Sequence, residues 1–537
     1  MGARAPEPQA KPRWRRPLVL SGFMATGKST VGRIVAARMG VPFVDTDEAL
    51  VAQSGKSIGE LFATIGEARF RESETQLVLP MLDDPTPRVI GFGGGTVTLP
   101  RVRHKALERA TVVVLTATPE TIVTRVASLA ERPNLMTASP LERARDLLAL
   151  RRDVYAESHG SVSTEGRTPE EIADHVLAIA GLDTLAMPLG MRSYVVELAD
   201  GAPERLSAAI AELAPSSIFV VTDENVNAAR SAWLQQALSG VKAPHHLLSI
   251  APGEQSKTLA TVSRLWDEML ARGLDRDAVV LAFGGGVVGD LAGFTASTLL
   301  RGIRCVQIPT SLLAMVDSSV GGKTGFDHAA GKNLIGAFFQ PSRVLVDIEH
   351  LTTLPPRERA AGLAEVVKIA LVQDASLLEL LEHTADAVRA GDRDALRPVV
   401  RAAIEAKIRV VRDDERESGA RALLNLGHTV GHALEAHAGY ARLLHGEAVA
   451  IGTVIELAAT ERLGLTPAGT SARAKALFGR LALPTDVTRD ELAAAWPFVL
   501  SDKKRAAATL KLPVVTSLGA GAVEPLLITA LRDAVLA

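Results

Sequence analysis

Apolar residues follow three successive patterns along this chain. From Pro17, short apolar runs at 18–21, 41–44, 88–92 and 111–115 alternate with glycine turns and helical stretches. Runs of this length bounded by turn residues read as buried parallel strands, and their alternation with helices predicts an α/β domain with a doubly wound sheet. The pattern closes on an amphipathic helix at 169–180, entered through Thr168-Pro169 and ended by Gly181. Residues 182–189 read as a linker. A second α/β pattern follows, with strands predicted at 193–198, 218–222, 278–283 and 305–308. After Pro355-Pro356 strand signals vanish, and Ala/Leu/Glu/Arg-rich helical patterns run nearly to the end. The expectation is a tail over 1–16, an α/β domain over 17–181, a second α/β domain over 190–354 and an all-helical domain over 355–537.

Composition narrows the function classes. At 537 residues the chain is too long for one core, and 47% hydrophobic with 22% charged residues is ordinary soluble globular composition. A net charge of −2 supplies no field that would gather nucleic acid or an anionic membrane, so any anion site must be a local basic cluster. Cys305 is the single cysteine, which excludes an intrachain disulfide and a thiolate metal site and fits a reducing cytoplasm. Arg13, Arg15 and Arg16 precede an apolar run, but it is short and leads into a phosphate motif, unlike a signal peptide. Gly2 is followed by Pro6 where myristoylation wants Ser or Thr, and no apolar stretch has the ~18–20 residues of a membrane span.

The first chemical constellation is a phosphate cradle. Gly22-Phe-Met-Ala-Thr-Gly27-Lys28-Ser29-Thr30 fits G-x-x-x-x-G-K-[ST] between a strand and a helix. Such a loop turns backbone N–H groups and a helix N-terminus toward a polyphosphate. Lys28 would reach the β- and γ-phosphates of ATP, and Ser29 would hold Mg²⁺. The next strand ends in Asp45-Thr46-Asp47, where one carboxylate can support the metal and the other accept substrate hydroxyls, although an Asp pair there also suits a helix cap. Arg71, in Phe70-Arg71 with Glu74 beyond, and the Gly93-Gly94-Gly95 turn suit a substrate carboxylate and hydroxyls.

In order, the Walker loop, D-T-D, F-R-x-x-E, G-G-G, Arg132-Pro133 and the late Arg151-x-x-x-Tyr155 make residues 17 to about 180 resemble shikimate kinase. The resemblance implies that Asp47, Arg71, Gly94, Gly95 and Arg151 hold shikimate and that Asp45 supports Mg²⁺. It also implies that Arg132 acts from a lid on the transferring phosphoryl group. The family often follows that Arg-Pro with two leucines; here Asn134 and Leu135 stand there.

The second constellation begins at Gly284-Gly285-Gly286-Val287-Val288-Gly289-Asp290, a G-x-G-x-x-G turn after a strand. Thr222-Asp223-Glu224-Asn225 ends another strand, where an acidic group can bind a ribose hydroxyl, and 252–257 is a polar turn carrying Glu254 and Lys257. In the helical region Glu365 and Lys368 share a helix face, as do His428 and His432, with His445 further on. A carboxylate and two imidazoles suit Zn²⁺ with a position left for substrate; spacing alone leaves open which histidines ligate, the i,i+4 pair being the simplest choice. Arg301, Lys323, Lys332, Lys368, Arg421 and Lys503 stand beside glycine, asparagine or aspartate, outside amphipathic charge runs, and together suit a phosphorylated, carboxylated substrate.

Residues from about 190 to 537 closely resemble 3-dehydroquinate synthase. The matching stretches are 284–294, 309–314, Asp317-Ser-Ser-Val-Gly-Gly-Lys323, Gly331-Lys332-Asn333-Leu-Ile-Gly336, Ala364-Glu365-Val-Val-Lys368 and Asn425-Leu-Gly-His428-Thr-Val-Gly-His432. The resemblance implies a Rossmann-like NAD-binding domain followed by the helical metal domain, with Zn²⁺ or Co²⁺ on Glu365, His428 and His445. For NAD⁺ it implies Asp223, Asn225, Glu254, Lys257, the 284–286 turn, Asp290, Thr310, Ser311, Lys323 and Lys332. For substrate it implies Asp317, Lys323, Asn333, Lys368, Arg421, Asn425, His432 and Lys503, with Arg301 reaching across a homodimer interface. The implied reaction on 3-deoxy-arabino-heptulosonate 7-phosphate is carbinol oxidation, β-elimination of phosphate, hydride return and aldol closure. A related sugar-phosphate cyclase making another carbocycle is the alternative, and the attached kinase argues against it.

Overall fold

The computed structural model describes residues 16–126, 139–329, 331–439, 442–502 and 509–537. It comprises two compact units, Met1–Val195 and Val196–Ala537. Arg132 of the expected lid and Lys503 lie outside the described residues.

The first unit is built on β1 (Leu18–Gly22), β2 (Phe43–Asp45), β3 (Val89–Gly91), β4 (Thr111–Thr116) and β5 (Gly160–Ser163). They run parallel in the order β2-β3-β1-β4-β5. Every residue of β1 is buried, as expected for a central parallel strand covered on both faces. The chain takes β2 and β3 to one side of β1 and crosses to the other for β4. The order therefore reverses beside β1, and the carboxyl ends of strands at such a reversal are where ligands bind. The predicted helix Pro169–Ala180 forms with the expected start: Glu171 N–H donates to Thr168 Oγ1 at 3.3 Å, and the Glu171 carboxylate accepts from Thr168 N–H at 2.8 Å. Its Ile172, Ala173 and Val176 pack on Leu18, Val35 and Val162. Within 182–189 the chain forms a short buried strand, β6 (Thr184–Met187).

The second unit carries β7 (Tyr194–Ala199), β8 (Ile218–Asp223), β9 (His245–Ile250), β10 (Val279–Gly284), β11 (Arg304–Pro309) and β14 (Arg343–Asp347). These run parallel in the order β7-β14-β11-β10-β8-β9. β8 leads outward to β9, and β10 returns on the other side of β8, so the reversal lies between the carboxyl ends of β8 and β10. An antiparallel hairpin, β12 (Lys323–His328) with β13 (Gly331–Phe338), projects between β11 and β14 in sequence.

From Pro356 the chain is mainly helical, with one correction to the expectation of helix nearly to the end. β15 (Thr509–Ser517) and β16 (Ala520–Leu527) form an antiparallel hairpin before the last helix, Ile528–Leu536. Leu510 and Leu512 are buried while Lys511 between them is exposed, so this is a half-buried strand of period two packed on Val430, Leu434, Trp496 and Leu531. Among the described residues no helix is long and apolar enough to cross a membrane.

One buried group predicts a measurable pH dependence. His350 is 1% exposed, lies edge-on to Trp233 and Phe283 at 4.6 and 5.5 Å, and has no hydrogen bond on either ring nitrogen. Burial, against the pull of the Asp347 carboxylate, lowers its pKa to about 4. In the unfolded chain the imidazole takes a proton near 6.5, so the unfolded state binds more protons between those values. The stability His350 carries is therefore full above pH 6.5 and is lost as pH falls toward 4, by about 3 kcal/mol at ~1.4 kcal/mol per pH unit. His350→Leu is expected to flatten the fall in the second unit's calorimetric unfolding temperature between pH 7 and pH 4.5. Parallel pH curves for the two proteins would contradict this account.

Candidate active sites

In the first unit the loop after β1 sets the geometry. Gly22 has φ +132°, and a Cβ there would lie 2.2 Å from Leu115 O of the neighbouring strand, so the turn needs glycine. The loop feeds helix Lys28–Met39, whose first-turn amide N–H groups have no acceptor within the helix. Lys28 Nζ donates to Gly22 O and Phe23 O at 3.0 and 2.8 Å, which holds the ammonium over the loop. Ser29 Oγ donates to Asp45 Oδ2 at 2.6 Å, while Asp45 Oδ1 accepts from Asp47 N–H at 3.0 Å and Glu48 N–H at 3.4 Å. Asp45 thus caps helix Thr46–Ser54 with one oxygen and accepts from the Ser29 hydroxyl with the other. Thr30 is exposed on the first helical turn.

The glycine turn after β3 gathers the remaining groups. A Cβ on Gly93 would lie 2.5 Å from Asp47 Oδ1, and one on Gly95 2.5 Å from Arg71 Nη2, so both side chains lie flat against the turn. Arg151 and Tyr155 both donate to Gly94 O, at 2.9 and 2.7 Å; burial raises the Tyr155 pKa, keeping the phenol a donor. Arg151 also stacks on Phe23 of the loop, 5.5 Å from the ring centroid. Glu74, which the motif contained but the sequence reading left without a role, is 1% exposed. It ion-pairs with Arg71 at 2.5 Å and accepts from Thr96 Oγ1 at 2.7 Å, fixing the guanidinium in place. The result is two arginines, an aspartate and a bare backbone turn beside a phosphate loop.

In the second unit the glycine turn after β10 opens helix Gly286–Thr298. A Cβ on Gly285 would lie 3.4 Å from Ser311 Oγ, and Thr310 N–H donates to Gly284 O at 2.9 Å, so 310–311 closes over the turn. Asp223 caps helix Glu224–Leu238 through Val226 N–H at 2.9 Å, with Asn225 exposed in its first turn. Lys257 is buried, ion-pairs with Asp290 at 2.7 Å and bonds Asn333 of the hairpin. Lys332 lies 3.6 Å from Glu254. Arg301 is exposed, with φ +68° following Leu300 at φ +50°.

The helical region brings together groups eighty residues apart. A Cβ on Gly446 would lie 1.8 Å from Ala361 O, so only glycine lets helix His445–Arg462 pack this closely on helix Pro356–Gln373. That approach sets His445 beside Glu365. Glu365, 3% exposed, ion-pairs with Lys368 through Oε2. Its Oε1 makes no hydrogen bond and faces His445 Nε2 at 3.6 Å and His428 Nε2 at 3.8 Å. One ring nitrogen each from His428, His432 and His445 lie within 4.8 Å of one another. Burial raises the Glu365 carboxyl, but Lys368 and His445 outweigh it and hold the pKa at about 2. Burial, aided by Lys368, pushes His428 well below its ordinary value, leaving a neutral imidazole whose Nδ1 lies 3.2 Å from Leu426 O. Burial lowers the His445 pKa, but Glu365 and Glu435 outweigh it and raise it to about 10, so a cation binding there displaces a proton. A carboxylate and imidazoles converging from three helices are a donor set for a divalent cation.

Around this cluster sit the basic residues. Arg421 is buried, bonds Glu415 O at 2.5 Å and lies over Phe338 at 5.9 Å. Lys323 pairs with Glu417, which also accepts from Asn425 at 2.9 Å. Lys407 was missed by the sequence reading: it is 4% exposed and donates to both Asp317 O and Asp317 Oδ1 at 2.5 Å. Burial lowers its pKa to about 8, against the attraction of Asp317.

Comparison with known proteins fits both sites. The chain is 48% identical over 314 residues to the 3-dehydroquinate synthase of Rhodospirillum rubrum, covering 58% of this chain and 82% of that one. The chain belongs to the 3-dehydroquinate synthase family. The family models for the N- and C-terminal parts of 3-dehydroquinate synthase match 247–361 and 362–505, and the shikimate kinase model matches 24–180. Two solved structures share the fold of the synthase part. One is a 2-epi-5-epi-valiolone synthase from Streptomyces hygroscopicus with NAD⁺ and Zn²⁺ bound, 31% identical, TM-score 0.57, covering 64% of this chain and 96% of that one. The other is a 2-deoxy-scyllo-inosose synthase with carbaglucose-6-phosphate, NAD⁺ and Co²⁺, 25% identical, TM-score 0.60, covering 66% and 99%. The chain therefore joins a shikimate kinase domain to a 3-dehydroquinate synthase, two enzymes of the shikimate pathway on one polypeptide.

Proposed function

We propose that the first unit phosphorylates shikimate with Mg·ATP and the second converts 3-deoxy-arabino-heptulosonate 7-phosphate to 3-dehydroquinate and phosphate. The observation that carries the synthase reading is the convergence of Glu365, His428 and His445: a buried carboxylate oxygen lies 3.6 and 3.8 Å from two imidazole nitrogens, near three buried cationic side chains, Lys368, Lys407 and Arg421. These three residues are the proposed Zn²⁺ or Co²⁺ ligands, with His432 left to hydrogen-bond substrate. When bound, NAD⁺ takes up and returns the hydride and the metal ion polarises the carbinol oxygen. The Gly284–Gly286 turn, Thr310 and Ser311 would receive the pyrophosphate of NAD⁺ at a helix N-terminus. Asp223, Asn225, Glu254, Lys257, Asp290 and Lys332 would hold its ribose and neighbouring groups. Lys323, Asn333, Lys368, Lys407, Arg421, Asn425 and Asp317 would bind the carboxylate, hydroxyls and phosphate of the sugar. Identity of 48% to a 3-dehydroquinate synthase, against 31% and 25% to the two other cyclases, favours the heptulosonate over other sugar phosphates.

For the kinase, Lys28 and the loop amides would hold the ATP phosphates, Ser29 and Asp45 the magnesium, and Asp47, Arg71, Arg151 and the 93–95 turn shikimate. We place the protein in the cytoplasm, with small molecules as its substrates. We also propose a homodimer formed through the synthase part, to which Arg301 contributes. Support comes from exposed Leu334, Ile335 and Phe338 on the β12–β13 hairpin, an apolar edge suited to a second copy. The whole chain, supplied with metal, is expected to release phosphate from the heptulosonate phosphate with catalytic NAD⁺ and to phosphorylate shikimate with ATP. Turnover of sedoheptulose 7-phosphate in place of the heptulosonate would reassign the second unit to another cyclase.

A further inference from the structure

We infer that Glu435 is a positioning residue for His445, holding that imidazole from the side opposite Glu365 and tying it to Lys332 of the β12–β13 hairpin. The inference rests on Glu365, His428 and His445 being the metal ligands. Glu435 lies seven residues after His428 and three after His432 on helix His428–His437, so the three side chains share one helix face. Its side chain is 4% exposed. Oε2 lies 3.2 Å from His445 Nδ1, and Oε1 lies 3.6 Å from Lys332 Nζ.

An imidazole presents two nitrogens, and the group bonded to one decides what the other offers. With Glu435 receiving the Nδ1–H, the lone pair of His445 is fixed on Nε2, which faces Glu365 Oε1 at 3.6 Å. His428 is held in the corresponding way, with its Nδ1 on the Leu426 carbonyl. The two histidines therefore differ in their supports: one rests on a neutral backbone group, the other on an anion, which also makes the ligand nitrogen more basic.

A purely structural account of Glu435 fails on cost. Val430, Ala433 and Leu434 of the same helix pack into an apolar cluster with Ile451 and Leu492, where an alkyl side chain would be at home. Burying an ionised carboxylate is tolerated only when partners compensate it, and both partners here belong to the reaction site. Lys332 also lies 3.6 Å from Glu254 in the 252–257 turn, so it bridges the cofactor side and the metal side of the synthase unit.

The test is metal affinity of the apo-protein, measured by chelator competition for wild type, Glu435→Gln, Glu435→Ala and His445→Ala, with Co²⁺ absorption spectra alongside. Glu435→Gln keeps volume and an acceptor but loses the charge, and it is expected to bind Zn²⁺ about 10–100-fold more weakly with an altered Co²⁺ spectrum. The altered Co²⁺ spectrum of the fully loaded variant is the readout that a merely structural role would not move. Wild-type affinity and spectrum in Glu435→Gln, with His445→Ala impaired, would overturn the positioning role alone. Wild-type affinity in His445→Ala would instead overturn the ligand set on which it depends. Should Glu435→Ala not fold, the isosteric variant still decides.

Discussion

Lys28→Ala is expected to lower shikimate phosphorylation about 10²–10³-fold, the loss seen when one pre-organised donor to developing charge is removed, and to leave dehydroquinate synthesis at its wild-type rate. Lys28 Nζ is held over the loop by the Gly22 and Phe23 carbonyls, so its charge is in position before nucleotide arrives. Alanine leaves those carbonyls and the loop glycines in place, and alanine is a good helix former at this first helical position. The loss should therefore fall on kcat, with the unfolding temperature of the unit unchanged. The second measurement matters equally. The two units have separate cores and separate glycine turns, so a variant in one should not alter the chemistry of the other. A fall in both activities, or in neither, would contradict the assignment of this loop.

How much of this was legible in the sequence depended on how local the determinant is. The phosphate loop was readable because strand, glycines, Lys28 and Ser29 are contiguous, and the chain order alone fixes their geometry. Most strands were readable as apolar runs, the edge strand β2 among them, but the edge strands β5 and β9 were not. In β5 only Val162 is buried, and β9 opens on exposed His245 and half-buried His246, with no apolar run until Leu247. The β15–β16 hairpin was hidden by its short alternation, although Leu510-Lys511-Leu512 and the Gly519 turn carry the period of two. The inner strand β14 was equally readable as an apolar run and was passed over.

The metal cluster shows the other limit. Spacing on one helix pairs His428 with His432, whereas the residues flanking Glu365 Oε1 are His428 and His445, from two helices. The close packing that allows this depends on Gly446 against Ala361, a tertiary contact that no periodicity encodes. Lys407 illustrates a signal that was present. Val400, Ile404 and Val411 share its helix face and are buried, so a lysine stands in an apolar stripe. Read for amphipathicity alone it looks like one more charge in an Arg- and Glu-rich helix; read for the stripe it is a buried cation that needs a reason.

Glu365→Gln is expected to abolish dehydroquinate synthesis while shikimate phosphorylation persists. The amide matches the carboxylate in size, so the change removes charge with little change in packing. Two losses follow from the same atom. Oε1 faces both imidazole nitrogens and supplies the only anionic donor among the three proposed ligands, so metal affinity should fall further than the ~10–100-fold typical of outer-sphere partners. Oε2 balances Lys368, itself 3% exposed, and an amide leaves that ammonium buried without its counter-charge, a change that typically costs 3–5 kcal/mol. Metal analysis of the purified variant, beside the two activities, separates the outcomes. Loss of synthase activity with full metal content would move Glu365 from ligand to substrate-binding group. Retained activity with full metal content would return the site to the three histidines, whose nitrogens already lie within 4.8 Å of one another.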